Sequence, residues 1–175
     1  MNEKEKKEFS KKYSENILSV LKTKENANQF NDFVKFLSGK TFSTEMFDIN
    51  DVVAKKYEDK IPYWIDSIKG IFVKNNDLDF IRELLLDLEK AVDSASLVKV
   101  EIPFTPSAGF VDGLYEVIRD SKAIDNTRGF LIEFNTDPSI NGGAKIHVGG
   151  RYIDASLRSI IVNYLETNDV IKRYL

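Results

Sequence analysis

One stretch constrains the fold of this chain more than any other, the segment DPSINGGAKIHVGGRYIDASLR from Asp137 to Arg158. It begins with an Asp-Pro pair and contains two Gly-Gly pairs, and the residues between the Gly pairs alternate between apolar and polar. Asp-Pro and Gly-Gly pairs mark turns, whereas alternation with period two predicts a strand. The segment therefore predicts a turn, a strand over 144–148, and a tight hairpin at Gly149-Gly150, where both residues can adopt positive φ.

The residues after the second Gly pair predict a return strand and then a helix. Tyr152 and Ile153 would form the strand, and Asp154 would cap the helix because its carboxylate can accept hydrogen bonds from the first helical N–H groups. Apolar residues at helical spacing should then point inward: Leu157, Ile160, Ile161, Tyr164 and Leu165. The segment thus predicts a compact strand-hairpin-helix unit.

The part of the chain between the middle and this unit also predicts mixed structure. Alternating apolar residues predict one strand over 98–104 and another over 130–134. Between them, Thr105 and Pro106 are typical of a helix N-cap followed by Pro at the first helical position. We therefore expect a small α/β domain with a mixed sheet and two helices.

The first half of the chain shows helical periodicity throughout. Its apolar residues recur at spacings of three and four, and we expect the segments to be separated at Ser38-Gly39, near Pro62 in the first turn of a helix, and at 75–77, where Asp77 can cap the next helix. Five or six short helices with short connections predict a helical bundle. The predicted class is α+β, with an all-α bundle over 1–94 and the α/β domain over 95–175.

Composition excludes several kinds of function. The 175 residues include no Cys and a single His, His147, and the net charge is −3. Thiolate catalysis, disulfides and sites that need two His are excluded, and an acidic chain is a poor general binder of nucleic acid. The N-terminal sequence lacks an apolar core and no window approaches the roughly 20 apolar residues of a membrane span, so we expect an intracellular protein with at most peripheral membrane contact.

No catalytic, cofactor or metal site is predicted. The stretch NGGAKIHVGG matches neither a Walker loop nor a dinucleotide loop, because its Gly pairs flank a strand. His147 is expected to be a solvated strand residue. Asp137, Asp154 and Glu133 could supply a carboxylate pair for acid–base work, but a turn, a helix cap and a polar strand position account for them.

Large aromatic residues leave two interpretations open in the bundle. Phe9, Tyr13 and Trp64 suit its core, and they also suit a surface groove that takes a partner helix.

Taken in order, the C-terminal residues resemble the delta subunit of bacterial F-type ATP synthases, the counterpart of the mitochondrial oligomycin-sensitivity-conferring protein. The resemblance is carried by a D-P-S-[LI]-x-G-G turn, a Gly turn and a D-x-S-[IVL]-[RK] segment. The matching residues are Asp137, Pro138, Ser139, Ile140, Gly142, Gly143, Gly149, Asp154, Ser156, Leu157 and Arg158. This chain departs from the family at Ala155, where Gly is usual, and in its first helix.

The resemblance implies a stator subunit without catalytic activity or cofactor, at the cytoplasmic face of a bacterial membrane. The bundle would bind the N-terminal helices of the alpha subunits of the catalytic head, and the α/β domain would bind the b subunits of the peripheral stalk. Such a clamp supports proton-coupled ATP synthesis or hydrolysis. The bundle groove is expected to be lined by Phe9, Tyr13, Ile17, Ile65 and Ile68.

Three alternatives belong to other families or classes. The E subunit of the peripheral stalk in vacuolar and archaeal-type ATPases also ends in a Gly-Gly turn, a hairpin and a helix, but it begins with one long helix. A generic helical adaptor is the second alternative, and a small enzyme using Asp137 and Asp154 would require both carboxylates in one pocket.

Overall fold

The fold is seen in a computed structural model that describes residues 3–41, 48–58, 60–74, 77–121 and 129–167. The predicted chain break at Asn75 and Asn76 lies outside the described residues. The chain divides into two compact units, Met1–Ala95 and Ser96–Leu175. The predicted α+β class, with helices first and a mixed α/β region second, is confirmed.

The first unit consists of helices in its described part. They are α1 (Glu3–Leu21), α2 (Lys24–Thr41), α3 (Ile49–Tyr57), α4 (Ile65–Lys74) and α5 (Leu78–Asp93). Helix α5 forms because apolar residues recur on one face, and six of them are buried: Phe80, Ile81, Leu84, Leu85, Leu88 and Val92. Asp77 caps this helix as predicted, since its carboxylate accepts a 3.0 Å hydrogen bond from the Phe80 N–H.

The core of the first unit is built around Trp64, the only tryptophan of the chain, which is fully buried. Its ring centroid lies 5.6 Å from that of Phe30, 5.8 Å from that of Phe33 and 6.2 Å from that of Tyr57. Tilted and edge-on arrangements at these distances are the favoured geometries of aromatic pairs. The aromatic cluster therefore joins α2, α3 and the turn before α4.

Two predicted helix boundaries in this unit are wrong. Helix α2 continues past Gly39 to Thr41, because a Gly inside a helix lowers its stability without obliging it to end. Helix α4 begins at Ile65, so Pro62 precedes it instead of occupying its first turn. The Pro62 carbonyl accepts a 3.0 Å hydrogen bond from the Ile65 N–H, which places Pro62 in the turn that leads into the helix.

The second unit contains a four-stranded mixed sheet. Its elements are β1 (Ser96–Ile102), α6 (Ala108–Asp120), β2 (Phe130–Thr136), β3 (Gly143–Val148), β4 (Arg151–Ser156) and α7 (Leu157–Thr167). The strand order is β2-β1-β3-β4, with β1 and β2 parallel and the other neighbours antiparallel. Parallel neighbours require a crossover, and the segment containing α6 supplies it.

Alternation along the strands separates an apolar face of the sheet from a polar one. The apolar face and α6 enclose the core, whose buried members are Val98, Val100, Ile102, Tyr115, Ile118, Phe130, Ile132 and Val148. On the opposite face, Lys99 lies between Glu133 on β2 and His147 on β3 in the strand register. Helix α6 begins two residues later than predicted, because Ser107 and not Thr105 is its N-cap and accepts a hydrogen bond from the Phe110 N–H.

The neighbouring residues Leu85 and Leu86 test the orientation of α5. Leu85 is fully buried, whereas the side chain of Leu86 is 49% exposed. We expect Leu85→Ala to lower the free energy of unfolding by about 2–5 kcal/mol and Leu86→Ala to change it by less than about 0.5 kcal/mol. Urea unfolding followed by Trp64 fluorescence measures both values, and equal losses would contradict the packing described here.

Candidate partner-binding surfaces

The five side chains predicted to line a groove in the helical unit do not form one open surface. Ile17, Ile65 and Ile68 are no more than 3% exposed and belong to the core. Phe9 and Tyr13 are half-buried, with their ring centroids 4.5 Å apart, and the Phe9 ring also lies 5.8 Å from that of Phe80 on α5. Together these contacts pack α1 against α5, so a groove made of these five side chains is not present.

A groove of about 260 Å³ does lie between α1 and α5. Its apolar lining comes from Phe80 and Leu84, which are almost fully buried, and from the exposed Leu86. Polar side chains complete the lining: Lys6, Lys7, Ser10, Glu83, Asp87 and Lys90. An apolar strip edged by charges of both signs suits an amphipathic helix. We call this feature the α1–α5 groove.

Two polar contacts hold the helices on either side of the α1–α5 groove. The buried Ser10 hydroxyl donates a 2.8 Å hydrogen bond to the Asp87 carboxylate, and the Lys6 ammonium lies 3.1 Å from the Asp77 carboxylate. The hydrogen bond from the Phe80 N–H and the contact with Lys6 lower the pKa of Asp77 below its ordinary value. The capping residue of α5 therefore also attaches α1.

The turn after β2 is built from the Asp-Pro-Ser sequence. The Asp137 carboxylate accepts hydrogen bonds from the N–H of Ser139 at 2.9 Å and from its hydroxyl at 2.6 Å, and these bonds lower the pKa of Asp137. The Asp137 N–H donates to the Ile102 carbonyl at the end of β1. Pro138 is exposed, whereas Ile140 is buried. The turn is thus fastened to the end of β1 through the Asp137 N–H.

The first Gly pair allows the backbone to approach β4 closely. Gly142 and Gly143 have φ values of +108° and +80°, a region that strongly favours glycine. A Cβ at Gly143 would clash with the Ala155 carbonyl oxygen, so no other residue fits without a backbone shift. The Gly142 carbonyl accepts a 2.9 Å hydrogen bond from the Leu157 N–H, which fixes the first residue of α7.

The second Gly pair forms the predicted hairpin. Gly149 and Gly150 have φ values of +55° and +76°, and the flanking residues Val148 and Arg151 pair across the two strands. Positive φ at both central residues is what a two-residue type I′ turn requires. Hairpin formation accounts for this Gly pair.

The predicted cap of the last helix is wrong by two residues. Asp154 lies in β4, and its carboxylate accepts a 2.9 Å hydrogen bond from the Ser156 N–H. The cap is Ser156, which is buried and whose hydroxyl accepts from the Ser159 N–H at 3.3 Å. Arg158 in the first turn of α7 is exposed. Asp154 and Ser156 both have side chains that can cap a helix. Because β4 extends as far as Ser156, Asp154 lies within the strand and Ser156 is the cap.

Two of the carboxylates considered for acid–base work, those of Asp137 and Asp154, accept hydrogen bonds from nearby serines. Hydrogen bonds from Ser156 lower the pKa of Asp154, as those from Ser139 lower the pKa of Asp137. A general acid or base works best with a pKa near the operating pH. The hydrogen bonds instead lower the pKa of both carboxyl groups, further from neutral pH. Glu133 lies on the polar face of the sheet, 3.8 Å from the Lys99 ammonium.

His147 occupies the strand position that its alternation predicted. Its ring is half exposed on the polar face of the sheet, with Nε2 3.7 Å from a Glu101 carboxylate oxygen and its centroid 4.7 Å from that of Tyr152. Among the residues that the structure describes, no three His, Asp or Glu side chains come together in a way that would hold a metal ion.

The helix α7 exposes the apolar side chains that were predicted to point inward. Leu157, Ile160 and Ile161 are 48%, 55% and 48% exposed, and Ile153 on β4 is 45% exposed. Helical spacing correctly places the three α7 residues on one side of the helix, but within the described residues the core of the sheet is formed by β1, β2, β3 and α6. We call Ile153, Leu157, Ile160 and Ile161 the β4–α7 surface.

Tyr164 and Leu165 were also predicted to point inward; both lie in α7, but the structure does not describe their side chains. Strand β4, which directly precedes α7, is an edge strand of the sheet, since it is last in the order β2-β1-β3-β4. Exposed apolar patches next to a free edge mark surfaces that bind other proteins. The helices in the described part of the chain include none long and apolar enough to cross a membrane.

The two Gly turns offer a matched test of the close approach between Gly143 and the backbone of β4. Gly143→Ala must overcome both positive φ and the Ala155 carbonyl, whereas a Cβ at Gly149 meets no atom within 4 Å. We expect Gly149→Ala to destabilise the hairpin by about 1–2 kcal/mol and Gly143→Ala to destabilise it clearly more. Amide hydrogen exchange of β3 and β4 measures the difference, and equal effects would refute the steric argument.

A scan against protein-family models finds no match to the chain, and a search of curated proteins finds no significant match.

Proposed function

We propose that this protein is a stator subunit of a bacterial F-type ATP synthase, a divergent counterpart of the delta subunit. The observation that carries the proposal is the C-terminal unit, where Asp137, Gly143 and Ser156 of the resembling motif each make a specific backbone contact. The order of turn, strand, Gly turn, strand and helix follows the family pattern. In this role the protein works at the cytoplasmic face of the membrane as a peripheral component.

The arrangement of the helical unit supports the same assignment over its nearest alternative. An E-type stalk subunit begins with one long helix, whereas this chain begins with separate helices of 9 to 19 residues. A bundle followed by a small α/β unit is the organisation of the delta family.

The α1–α5 groove is the proposed site for the N-terminal helix of an alpha subunit. Leu86 offers exposed apolar area beside the buried Phe80 and Leu84, and Glu83 and Asp87 supply negative charge next to Lys6 and Lys90. An amphipathic helix binds such a groove by placing an i, i+3, i+4 apolar stripe on the strip and its polar side chains against the edge. This site replaces the groove predicted from five residues, Phe9, Tyr13, Ile17, Ile65 and Ile68.

The β4–α7 surface is the proposed site for the b subunits of the stalk. Its apolar side chains lie on the last helix and the edge strand, and α7 is tied to the sheet through the Gly142 carbonyl. Helical stalk segments bind by covering apolar area of this kind. Occupation of one site in each unit would link the catalytic head to the stalk, and holding the head still requires no chemistry from the clamp itself.

Titration calorimetry of the full chain with the N-terminal segment of the cognate alpha subunit tests the head-binding site. We expect saturable binding of a peptide of about 25 residues, with a Kd of about 1 μM or tighter. Leu86→Asp should weaken binding at least about tenfold, because a charge in the apolar strip loses its hydration when the peptide binds.

Ile61→Asp is the matched control, since Ile61 is similarly exposed in the same unit but does not line the groove. It should leave the affinity unchanged, with circular dichroism showing that both variants are folded. A folded wild-type chain that does not bind the peptide would refute the proposal. Equal weakening by both substitutions would refute the groove alone.

A further inference from the structure

Lys56 on α3 is surrounded by aromatic rings. Its ammonium lies 4.7 Å from the ring centroid of Phe36, 5.6 Å from that of Phe33 and 6.0 Å from that of Tyr57. It also donates a 3.2 Å hydrogen bond to the Asp32 carbonyl on α2. A cation within about 6 Å of an aromatic face is attracted by the ring quadrupole. Phe33, Phe36 and Asp32 belong to α2, so this one side chain joins α3 to α2.

Helix α3 buries few of its own side chains. It has nine residues, and only Ile49 and Val53 among them are buried, whereas six residues of α5 are buried. Elements that bury little apolar area open locally at a lower free energy than the elements that form the core. We therefore expect α3 to open before α5, and the Lys56 contacts to supply a substantial share of its resistance.

The last residue of α3 covers part of the aromatic cluster. The Tyr57 ring centroid lies 5.5 Å from that of Phe33 and 6.2 Å from that of Trp64. Burial of the phenol, with the nearby Asp32 carboxylate adding to it, raises the pKa of Tyr57 to about 12. Displacement of α3 would remove this ring from the side of Trp64 and admit solvent there.

We propose that Lys56 is a latch that holds α3 on α2, and that α3 opens as a local unit and uncovers Trp64 when the charge of Lys56 is removed. The latch is a conformational device of the helical unit, and it does not depend on the stator assignment. Any event that neutralises this ammonium, such as acylation, would release the helix. The attachment depends on the positive charge of Lys56, because the aromatic rings of Phe33 and Phe36 attract a cation and not a neutral amide.

Amide hydrogen exchange of the full chain, read separately for α3 and α5, tests the latch. Lys56→Gln should accelerate the exchange of α3 about tenfold, the scale of a partly buried cation–π contact, and leave α5 unchanged. Lys56→Arg should keep the amide protection of α3 close to that of the wild type, since a guanidinium also stacks on aromatic rings. Lys55→Gln is the matched control, because Lys55 is the exposed neighbour on the same helix.

Acrylamide quenching of Trp64 fluorescence provides a second readout, which should rise in Lys56→Gln and not in Lys55→Gln. Unchanged α3 exchange in Lys56→Gln, or equal acceleration of α3 and α5, would overturn the proposal. If Lys56→Gln fails to fold, the amide hydrogen exchange of α3 and α5 in the wild-type chain and in Lys56→Arg still tests the proposal. Equal protection of α3 and α5 in the wild type would show that α3 is not a separate opening unit.

Discussion

The close approach of Gly143 to the backbone of β4 is the constraint on which the second unit depends. The Ala155 carbonyl fills the space where a side chain would stand, so β3 can begin beside the end of β4 only if this residue is Gly. The neighbouring Gly142 carbonyl then receives the Leu157 N–H and fixes the start of α7. The position of the last helix at the free edge of the sheet follows from these two contacts.

That position explains why α7 leaves apolar side chains exposed. Helix α6 covers the apolar face of the sheet and shares its core with β1, β2 and β3. Leu157, Ile160 and Ile161 follow directly on the edge strand and are each about half exposed. Apolar area left in water does not stabilise a fold, and under the stator proposal this area is one half of an interface.

The two units thus carry the two different surfaces that we propose bind helical partners. The α1–α5 groove combines the exposed Leu86 with buried apolar side chains and charges of both signs. A chain with one docking surface in each of two units is suited to joining two components of a larger assembly, which is the physical content of the stator proposal.

Local patterns in the sequence predicted element types well and predicted exposure poorly. Helical spacing shows which residues share a face, but it does not show whether another element covers that face. The same limitation produced opposite errors, because Ile65 and Ile68 were assigned to a groove and are buried, whereas Ile160 and Ile161 were assigned to the core and are exposed. Leu86 falls outside the apolar stripe of α5, and this departure was the available signal for a surface site.

Helix boundaries failed wherever two residues could serve as the cap. Ser107 caps α6 although Thr105 also has a suitable hydroxyl, and Ser156 caps α7 although Asp154 precedes it. The choice depends on how far the preceding strand extends, which is a property of the sheet and not of the local sequence. By contrast, the Gly149-Gly150 hairpin was predicted correctly, since only its own backbone geometry decides it.

The most direct test of the stator role is purification of the tagged full chain from its source cell in mild detergent, with identification of the subunits that accompany it. The account predicts that both the alpha subunits of the head and the b subunits of the stalk are recovered. Leu86→Asp should lose the head and keep the stalk, whereas Ile160→Asp should do the reverse. A folded chain recovered without either partner would contradict the central claim.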